Sequence, residues 1–186
     1  MPHSPNPAPV SAVEEALEAC GSNDRLKLWV LLAVGEGLRR GEISRIHYED
    51  IQQEESGWSL VVHGKGAKLR RLPLWQGLAL RLREECSPGC EFVFPGGQGG
   101  HVSPNWVGLS IARVMPGDWT AHSLRRAFAT TLYGATHDIL VVQKFLGHSR
   151  PETTQGYVLM ADDSLRVALA TASSVMGKYS MALSGC

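Results

Sequence analysis

Most of the chain repeats its apolar residues with the period of an α-helix. In the first such stretch Ser11 can serve as the N-cap, and Glu14, three residues later, completes a capping box. Val13, Ala16 and Leu17 form the apolar stripe of this helix. The same spacing predicts further helices over 24–36, 40–46, 75–86, 103–115, 122–133, 138–146, 150–158 and 162–176.

The middle of the chain changes to the alternating pattern of β-strands. Residues 58–63 and 69–74 are predicted as strands, and Gly64 and Gly66 between them can both adopt positive φ. These features predict a β-hairpin, to which residues 48–52 add a third strand. The predicted fold class is therefore mainly α with a small antiparallel β-sheet, an α+β protein.

Length and composition limit the organisation to one domain. The chain has 186 residues, of which 44% are hydrophobic and 19% charged, and this composition excludes a disordered chain. The proline-rich residues 1–10 predict an extended linker before a domain over 11–186. Four cysteines are too few for a disulfide scaffold, and the first long apolar run, 28–34, is too short to span a bilayer. We expect a cytoplasmic protein that does not associate with membranes.

Charge becomes informative only when it is examined locally. The 18 basic and 18 acidic residues cancel, so the total charge gives no reason to expect a nucleic-acid partner. Arg39 ends one predicted helix, and Glu42 in the first turn of the next is suited to orient a guanidinium. Lys65 stands on the turn of the hairpin, where it can reach a DNA groove or protonate a leaving oxygen. Taken alone, each segment is more simply an exposed basic turn.

Three further positions change that interpretation. His122 and Arg125 lie three residues apart at the start of a predicted helix, where an anion is already favoured. Gly147 fits the end of the helix over 138–146 and leaves His148 just beyond it, and Tyr157 follows nine residues later. With Arg39 and Lys65, these side chains are the set needed to stabilise a pentavalent phosphorane and attack it with a phenol.

The order of these segments resembles that of a known family. Gly-Leu-Arg-x-x-Glu, Gly-Lys-Gly in a hairpin, His-x-Leu-Arg, Leu-Gly-His and a tyrosine nine residues later are similar to the motifs of the tyrosine recombinase catalytic domain, the phage integrase family. The resemblance extends from about residue 11 to 175. It implies the tyrosine recombinase catalytic-domain fold, double-stranded DNA as substrate, no metal or other cofactor, and a tetramer on DNA, with accessory DNA-bending proteins as further partners.

The resemblance also implies a role for each site residue. Tyr157 attacks the scissile phosphate, forms a 3′-phosphotyrosyl bond and releases a 5′-hydroxyl. Arg39 and Arg125 clamp the non-bridging oxygens, and His148 donates a further hydrogen bond to the phosphate. A second 5′-hydroxyl then reverses the step, so that the phosphodiester bond energy is retained without ATP.

The remaining residues support this chemistry. Lys65 is implied as the general acid for the leaving 5′-oxygen, His122 as a proton acceptor or hydrogen-bonding support near Tyr157, and Glu42 as an orienting residue. Between residues 120 and 150, four basic residues oppose a single acid, which favours contact with the DNA backbone. Further DNA contacts are expected from Arg40, Lys68, Arg70, Arg126 and Arg150.

Several alternatives stay open at the level of sequence. A type IB topoisomerase-like relaxase or a telomere resolvase uses a similar site, and a DNA-binding module of the same fold would lack catalysis. Cys86, Cys90 and His101 suggest zinc, but they lack a second ligand pair, so we expect no metal. Family members usually carry an N-terminal DNA-clamping domain before the linker. We therefore expect weak DNA affinity and poor recombination from these 186 residues alone.

Overall fold

The computed structural model describes residues 6–64, 66, 68–86, 89–147 and 165–170. Its helices and strands are α1 (Val10–Ala19), α2 (Asp24–Gly35), α3 (Arg40–Ile43), β1 (Ile51–Glu54), β2 (Gly57–His63), β3 (Leu69–Leu74), α4 (Gln76–Glu85), α5 (Pro104–Val114), α6 (Ala121–Thr136) and α7 (Ile139–Leu146). Residues 165–170 are also helical. The predicted α+β class, mainly helical with one small antiparallel sheet, is confirmed.

Helix α2 forms the centre of the hydrophobic core. Nearly all its residues from Leu26 to Val34 are buried, and a helix that is apolar on all sides must be surrounded by protein. It packs against α1, α4, α5 and α6, and the Asn23 side chain begins it by accepting a hydrogen bond from the Leu26 N–H at 3.0 Å. Among the described helices, none combines the length and the apolar character that a membrane crossing requires.

The three strands pair in the order β1-β2-β3, each antiparallel to its neighbour. Leu72 and Leu74 of β3 face the core. Arg71, which precedes Leu72, is exposed and points outward. Because side chains alternate across a strand, Arg70 lies on the same face as Leu72. The register supports this, since Arg70 is the cross-strand partner of the buried Val62. Arg70 is thus directed to the inside of the sheet.

Some predicted boundaries differ from the structure. Residues 48–50 form a 3₁₀ turn instead of strand, because Asp50 caps the turn by accepting the His47 N–H at 2.9 Å, and β1 begins only at Ile51. Helix α3 ends at Ile43, three residues earlier than predicted. The predicted helix over 150–158 lies outside the described residues, and of the one over 162–176 only residues 165–170 are described.

The start of α1 also differs from the prediction. The helix begins at Val10 with Pro9 as its N-cap, and the Pro9 carbonyl accepts from the Ala12 and Val13 N–H groups. The predicted Ser11 cap is therefore not used. Ala8 is buried, and its N–H donates to the Ser123 carbonyl at 3.1 Å. The last residues of the predicted linker thus pack on the N-terminus of α6.

A tight turn joins α2 to α3. Gly37 has a φ of 64°, in the left-handed region that glycine adopts most readily. A Cβ added at Gly37 would lie 2.9 Å from Phe128 Cε1 and 3.1 Å from Leu146 Cδ2, so the backbone is pressed against α6 and α7. The turn therefore depends on glycine both for its conformation and for its packing.

Next to this turn, Glu36 buries a carboxyl group. Only 2% of the residue is exposed; the Trp75 N–H donates to the carboxyl, and Oε2 has no partner within the described structure. Burial raises the pKa of Glu36 from 4.5 to about 8, although the Trp75 hydrogen bond opposes the rise. The folded protein therefore holds this group protonated at neutral pH.

We predict that Glu36→Gln stabilises the protein at pH 8 but not at pH 4.5. The unfolded carboxyl ionises near 4.5 and the folded one near 8, so the wild type loses stability as pH rises across this interval. The gain from the neutral amide should reach a few kcal/mol at pH 8. Urea denaturation at both pH values, with the exposed Glu14→Gln as control, measures the difference. A gain that does not change with pH would contradict the assignment.

We also predict that Gly37→Ala lowers the free energy of unfolding by about 2 kcal/mol or more, because alanine at positive φ is strained and its methyl group overlaps Phe128. Gly35→Ala is the matched control, since an added Cβ there meets nothing within 4 Å and alanine favours the helix. Chemical denaturation compares the two variants. Equal stabilities would show that the Gly37 turn tolerates a side chain.

Candidate active site

A buried carboxylate on α3 is in contact with three arginines. Glu42 is 6% exposed, and its Oε2 accepts the Arg39 N–H at 2.8 Å while Oε1 accepts Arg39 Nη1 at 2.9 Å. Arg70 donates from Nη1 to Oε1 at 2.9 Å and from Nη2 to Oε2 at 3.0 Å. Arg125 Nη1 lies 3.5 Å from Oε2. Residues distant in sequence thus meet at one acidic group.

The arginines keep Glu42 ionised in spite of its burial. Burial by itself would raise the pKa of the carboxyl group. The hydrogen bonds and charge of Arg70, the Arg39 N–H and the charge of Arg125 outweigh burial and lower the pKa of Glu42 below its usual 4.5. One negative charge therefore faces three guanidinium groups, which leaves the cluster with an excess of positive charge.

Arg39 is the member of the cluster that solvent can reach. Its side chain is 45% exposed, while Nη1 is held by Glu42 and by the Leu146 carbonyl at 3.3 Å. The guanidinium is thus fixed on one side and open on the other. This arrangement suits the binding of an anion, because the donor geometry is set before the anion arrives.

Arg125 lies on α6, and only 4% of the residue is exposed. Nη1 donates to the Gly37 carbonyl and Nη2 to the Leu146 carbonyl at 2.6 Å. Burial first, and then the charge of Arg39, lower the pKa of Arg125 to about 10, although Glu42 opposes the shift. Arg125 still carries its charge at neutral pH, so it adds a buried positive charge behind Arg39.

His122 lies in the first turn of α6 and is exposed. Partial desolvation and then the charges of Arg126, Arg125 and Arg39 lower the pKa of His122 below 6.5. The response to both Arg125 and Arg39 means that His122 lies in the field of the arginine cluster. A neutral imidazole at neutral pH is able to accept a proton.

The C-terminal end of α7 also contacts the arginine cluster. The Leu146 carbonyl accepts hydrogen bonds from both Arg39 and Arg125, so two arginines hold this helix terminus. Gly147 ends the helix in the left-handed conformation, with a φ of 62°. The predicted site residue His148 follows directly but lies outside the described residues, as do Lys65, Arg150 and Tyr157.

The predicted DNA contacts fall into two groups. Arg40 and Lys68 are exposed and Arg126 is partly exposed, in keeping with a surface role. The prediction for Arg70 needs correction, because its side chain is 14% exposed and its Nε, Nη1 and Nη2 atoms all donate to protein acceptors. The alternation of Arg70 with Leu72 was the sequence signal for an inward side chain, and the cluster of neighbouring basic residues obscured it.

One group of three potential metal ligands occurs among the described residues. The donor atoms of His47, Asp50 and His63 lie within 4.8 Å of one another. Two donors on one tetrahedral zinc ion are separated by only about 3.3 Å. Asp50 is also already bonded, with Oδ2 accepting the His47 N–H and Oδ1 2.9 Å from His63 Nε2. A hydrogen-bonded histidine and aspartate account for this group, and we assign no metal to it.

The residues considered as zinc ligands in the sequence do not form such a group in the described part of the chain. Cys86 is buried and Cys90 is exposed. His101 packs edge-on against Phe92, and its Nδ1 lies 2.8 Å from the Val102 carbonyl.

Comparison with known proteins shows the family to which this chain belongs. The family model described as Phage integrase family matches residues 10–163. The tyrosine recombinase XerC of Bradyrhizobium diazoefficiens is 30% identical over 189 aligned positions, which cover 90% of this chain and 59% of the relative. This chain therefore spans about three-fifths of the length of that relative.

Solved structures share the fold. The integrase from mycobacterium phage Brujita superposes with a TM-score of 0.74 and 29% identity, over 92% of this chain and 60% of that one. A lambda integrase tetramer bound to a Holliday junction gives a TM-score of 0.61 at 21% identity, over 78% of this chain and 47% of that one, and shows the fold alone. The fold is that of the tyrosine recombinase catalytic domain, and the chain belongs to the phage integrase family.

Proposed function

We propose that residues 11–186 are the catalytic domain of a site-specific DNA recombinase or integrase, which cuts and rejoins DNA strands through a 3′-phosphotyrosyl intermediate. The observation that carries this proposal is the convergence of Arg39 and Arg125 on the buried Glu42, with Arg39 open to solvent. The charges of both arginines also act on His122. Membership of the phage integrase family supports the same chemistry. The names of the relatives, recombinase and integrase, favour this function over a topoisomerase-like relaxase.

The arginines stabilise the transition state. Arg39 binds a non-bridging oxygen of the scissile phosphate with the exposed part of its guanidinium, and the buried charge of Arg125 acts behind it. As negative charge develops on the pentavalent phosphorus, fixed donors in a partly desolvated site stabilise it more strongly than water does. His148, which follows the anchored end of α7, supplies a further hydrogen bond to the phosphate.

Proton transfers accompany the two bond changes. The phenolic oxygen of Tyr157 attacks phosphorus and forms the 3′-phosphotyrosyl bond, while the bond to the 5′-oxygen breaks. His122, held neutral by its surroundings, accepts the phenolic proton or supports its transfer, and Lys65 protonates the leaving 5′-oxygen. Attack by another 5′-hydroxyl reverses these steps, so the cycle uses neither ATP nor a metal ion.

The partners follow from this substrate. Double-stranded DNA is bound through phosphate contacts from Arg40, Lys68, Arg126 and Arg150, with an affinity that falls as salt rises. The lambda integrase tetramer on a Holliday junction supports assembly of this chain into a tetramer on DNA. Accessory DNA-bending proteins are proposed as further partners. The activity belongs in the cytoplasm of a bacterial or phage-infected cell, where the DNA substrate is found.

We predict that Tyr157→Phe abolishes formation of the covalent protein–DNA adduct. A pool of nicked duplexes, randomised around the nick, traps the intermediate because the short 5′ strand diffuses away, and peptide mapping locates the modified residue. Tyr133→Phe is the matched control, since Tyr133 is an exposed tyrosine of α6 and should not affect the yield. An adduct formed equally well by Tyr157→Phe would refute the assignment of the nucleophile.

The rate of cleavage should also depend on the protonation of His122. Because its pKa lies below the usual 6.5, the rate should stay constant down to a pH below 6.5 and then fall as His122 becomes protonated. His122→Gln should lower the rate about 100-fold and remove this acid limb. His101→Gln serves as the control for a histidine packed elsewhere. An acid limb that persists in His122→Gln would assign the titration to another group.

A further inference from the structure

We propose that Arg70 is a positioning residue of this site, which sets the geometry of Arg39 through Glu42 and anchors the end of α7 to the β-hairpin. The inference rests on the proposed function in so far as the positioned groups act on a phosphate. Its basis is the contacts of Arg70, which differ from those expected of a DNA-binding arginine.

Every nitrogen of the Arg70 guanidinium is used within the protein. Nη1 and Nη2 bind the two oxygens of Glu42 at 2.9 and 3.0 Å, and Nε donates to the Phe145 carbonyl at 3.0 Å. Gly147 packs against the group, because an added Cβ would lie 3.1 Å from Nη1 and 3.3 Å from Cζ. Arg70 is therefore enclosed by Glu42 of α3 on one side and the end of α7 on the other.

The contacts require an arginine. A guanidinium is planar and can present two parallel N–H groups to a carboxylate and a third to another acceptor. A lysine at this position would retain the charge, but its single ammonium group cannot reproduce the paired bonds to both oxygens of Glu42 together with the bond to the Phe145 carbonyl. The fixed orientation of Glu42 would be lost even though its ionisation was retained.

Glu42 passes this orientation to Arg39. The same oxygens that bind Arg70 also accept the Arg39 N–H and Nη1, so the position of the carboxylate determines where the exposed guanidinium of Arg39 points. Without Arg70, Glu42 would be a buried charge with fewer partners, and it would turn toward Arg125. Arg39 and Arg125 would then both change position.

Arg70 also connects three parts of the proposed mechanism. It stands on β3, five residues after Lys65 in the turn of the hairpin, and it pairs across the sheet with Val62. Through Glu42 it reaches α3, and through Phe145 it reaches the helix end that precedes His148. One side chain, that of Arg70, thus connects the hairpin to α3 and α7.

Arg70→Gln and Arg70→Lys test this role in the 186-residue chain. The matched control is Arg71→Gln, because Arg71 is the next residue of β3, points outward and pairs with Glu54. Three properties are measured for each variant: the single-turnover rate of adduct formation at saturating DNA, the dissociation constant for DNA with its salt dependence, and the NMR signals of the Arg39 and Arg125 Nε–H groups without DNA.

We expect both Arg70 variants to reduce the single-turnover rate by about 10- to 100-fold, since a misplacement of about 1 Å can cost about 100-fold in rate. DNA affinity should change less than about threefold, and the Arg39 and Arg125 signals should move. Arg71→Gln should leave the rate and the signals unchanged. The double variant of Arg70→Gln with Glu42→Gln should be no slower than Glu42→Gln alone, because the two residues act through one contact.

Three results would overturn the proposal. Weaker DNA binding with a reduced salt slope and a normal rate at saturation would make Arg70 a DNA contact. A rate that recovers fully when the temperature is lowered below the unfolding transition would make it a residue of general stability. Unmoved Arg39 and Arg125 signals in Arg70→Gln would show that it positions neither group. If the wild type formed no adduct, the proposed function would fail, and the NMR comparison alone would decide the role of Arg70.

Discussion

The site depends on the ion cluster in which the buried Glu42 carboxylate meets Arg39, Arg70 and Arg125. Removing charged groups from water is costly, and the cost is recovered only where the partners are close and well oriented. Here they come from α3, β3 and α6, so the carboxylate can be satisfied only when these elements are assembled correctly. The arginines of the site are therefore positioned only when the domain is correctly packed.

Backbone carbonyl groups also hold the arginines of the cluster in place. The carbonyls of Gly37 and Leu146 accept hydrogen bonds from Arg125, and Leu146 also accepts from Arg39. These contacts require close approach of the chain, which Gly37 and Gly147 permit at their positive φ angles. The glycines of the Gly-Leu-Arg and Leu-Gly-His segments thus act by bringing carbonyl groups to the arginines.

Much of this arrangement could be predicted from sequence, because helical periodicity located α2 and α6 and alternation located the hairpin. The convergence of Arg39, Glu42 and Arg125 also agrees with the predicted pattern. The carbonyl of Leu146 could not be predicted, since a backbone acceptor has no sequence signature. Arg70 was predicted to contact DNA because its neighbours are basic, whereas the strand period directs its side chain inward to Glu42. Lys65, His148 and Tyr157 stay predictions.

The protonated Glu36 alters the charge of the folded molecule. The formal balance of 18 basic and 18 acidic residues counts this carboxyl as negative, and the sequence isoelectric point of about 7.1 does the same. Because Glu36 ionises only near pH 8 when folded, the native protein is one unit more positive at neutral pH than its composition states. The change in charge at this protonated group lies next to Gly37, in the turn that leads into the arginine cluster.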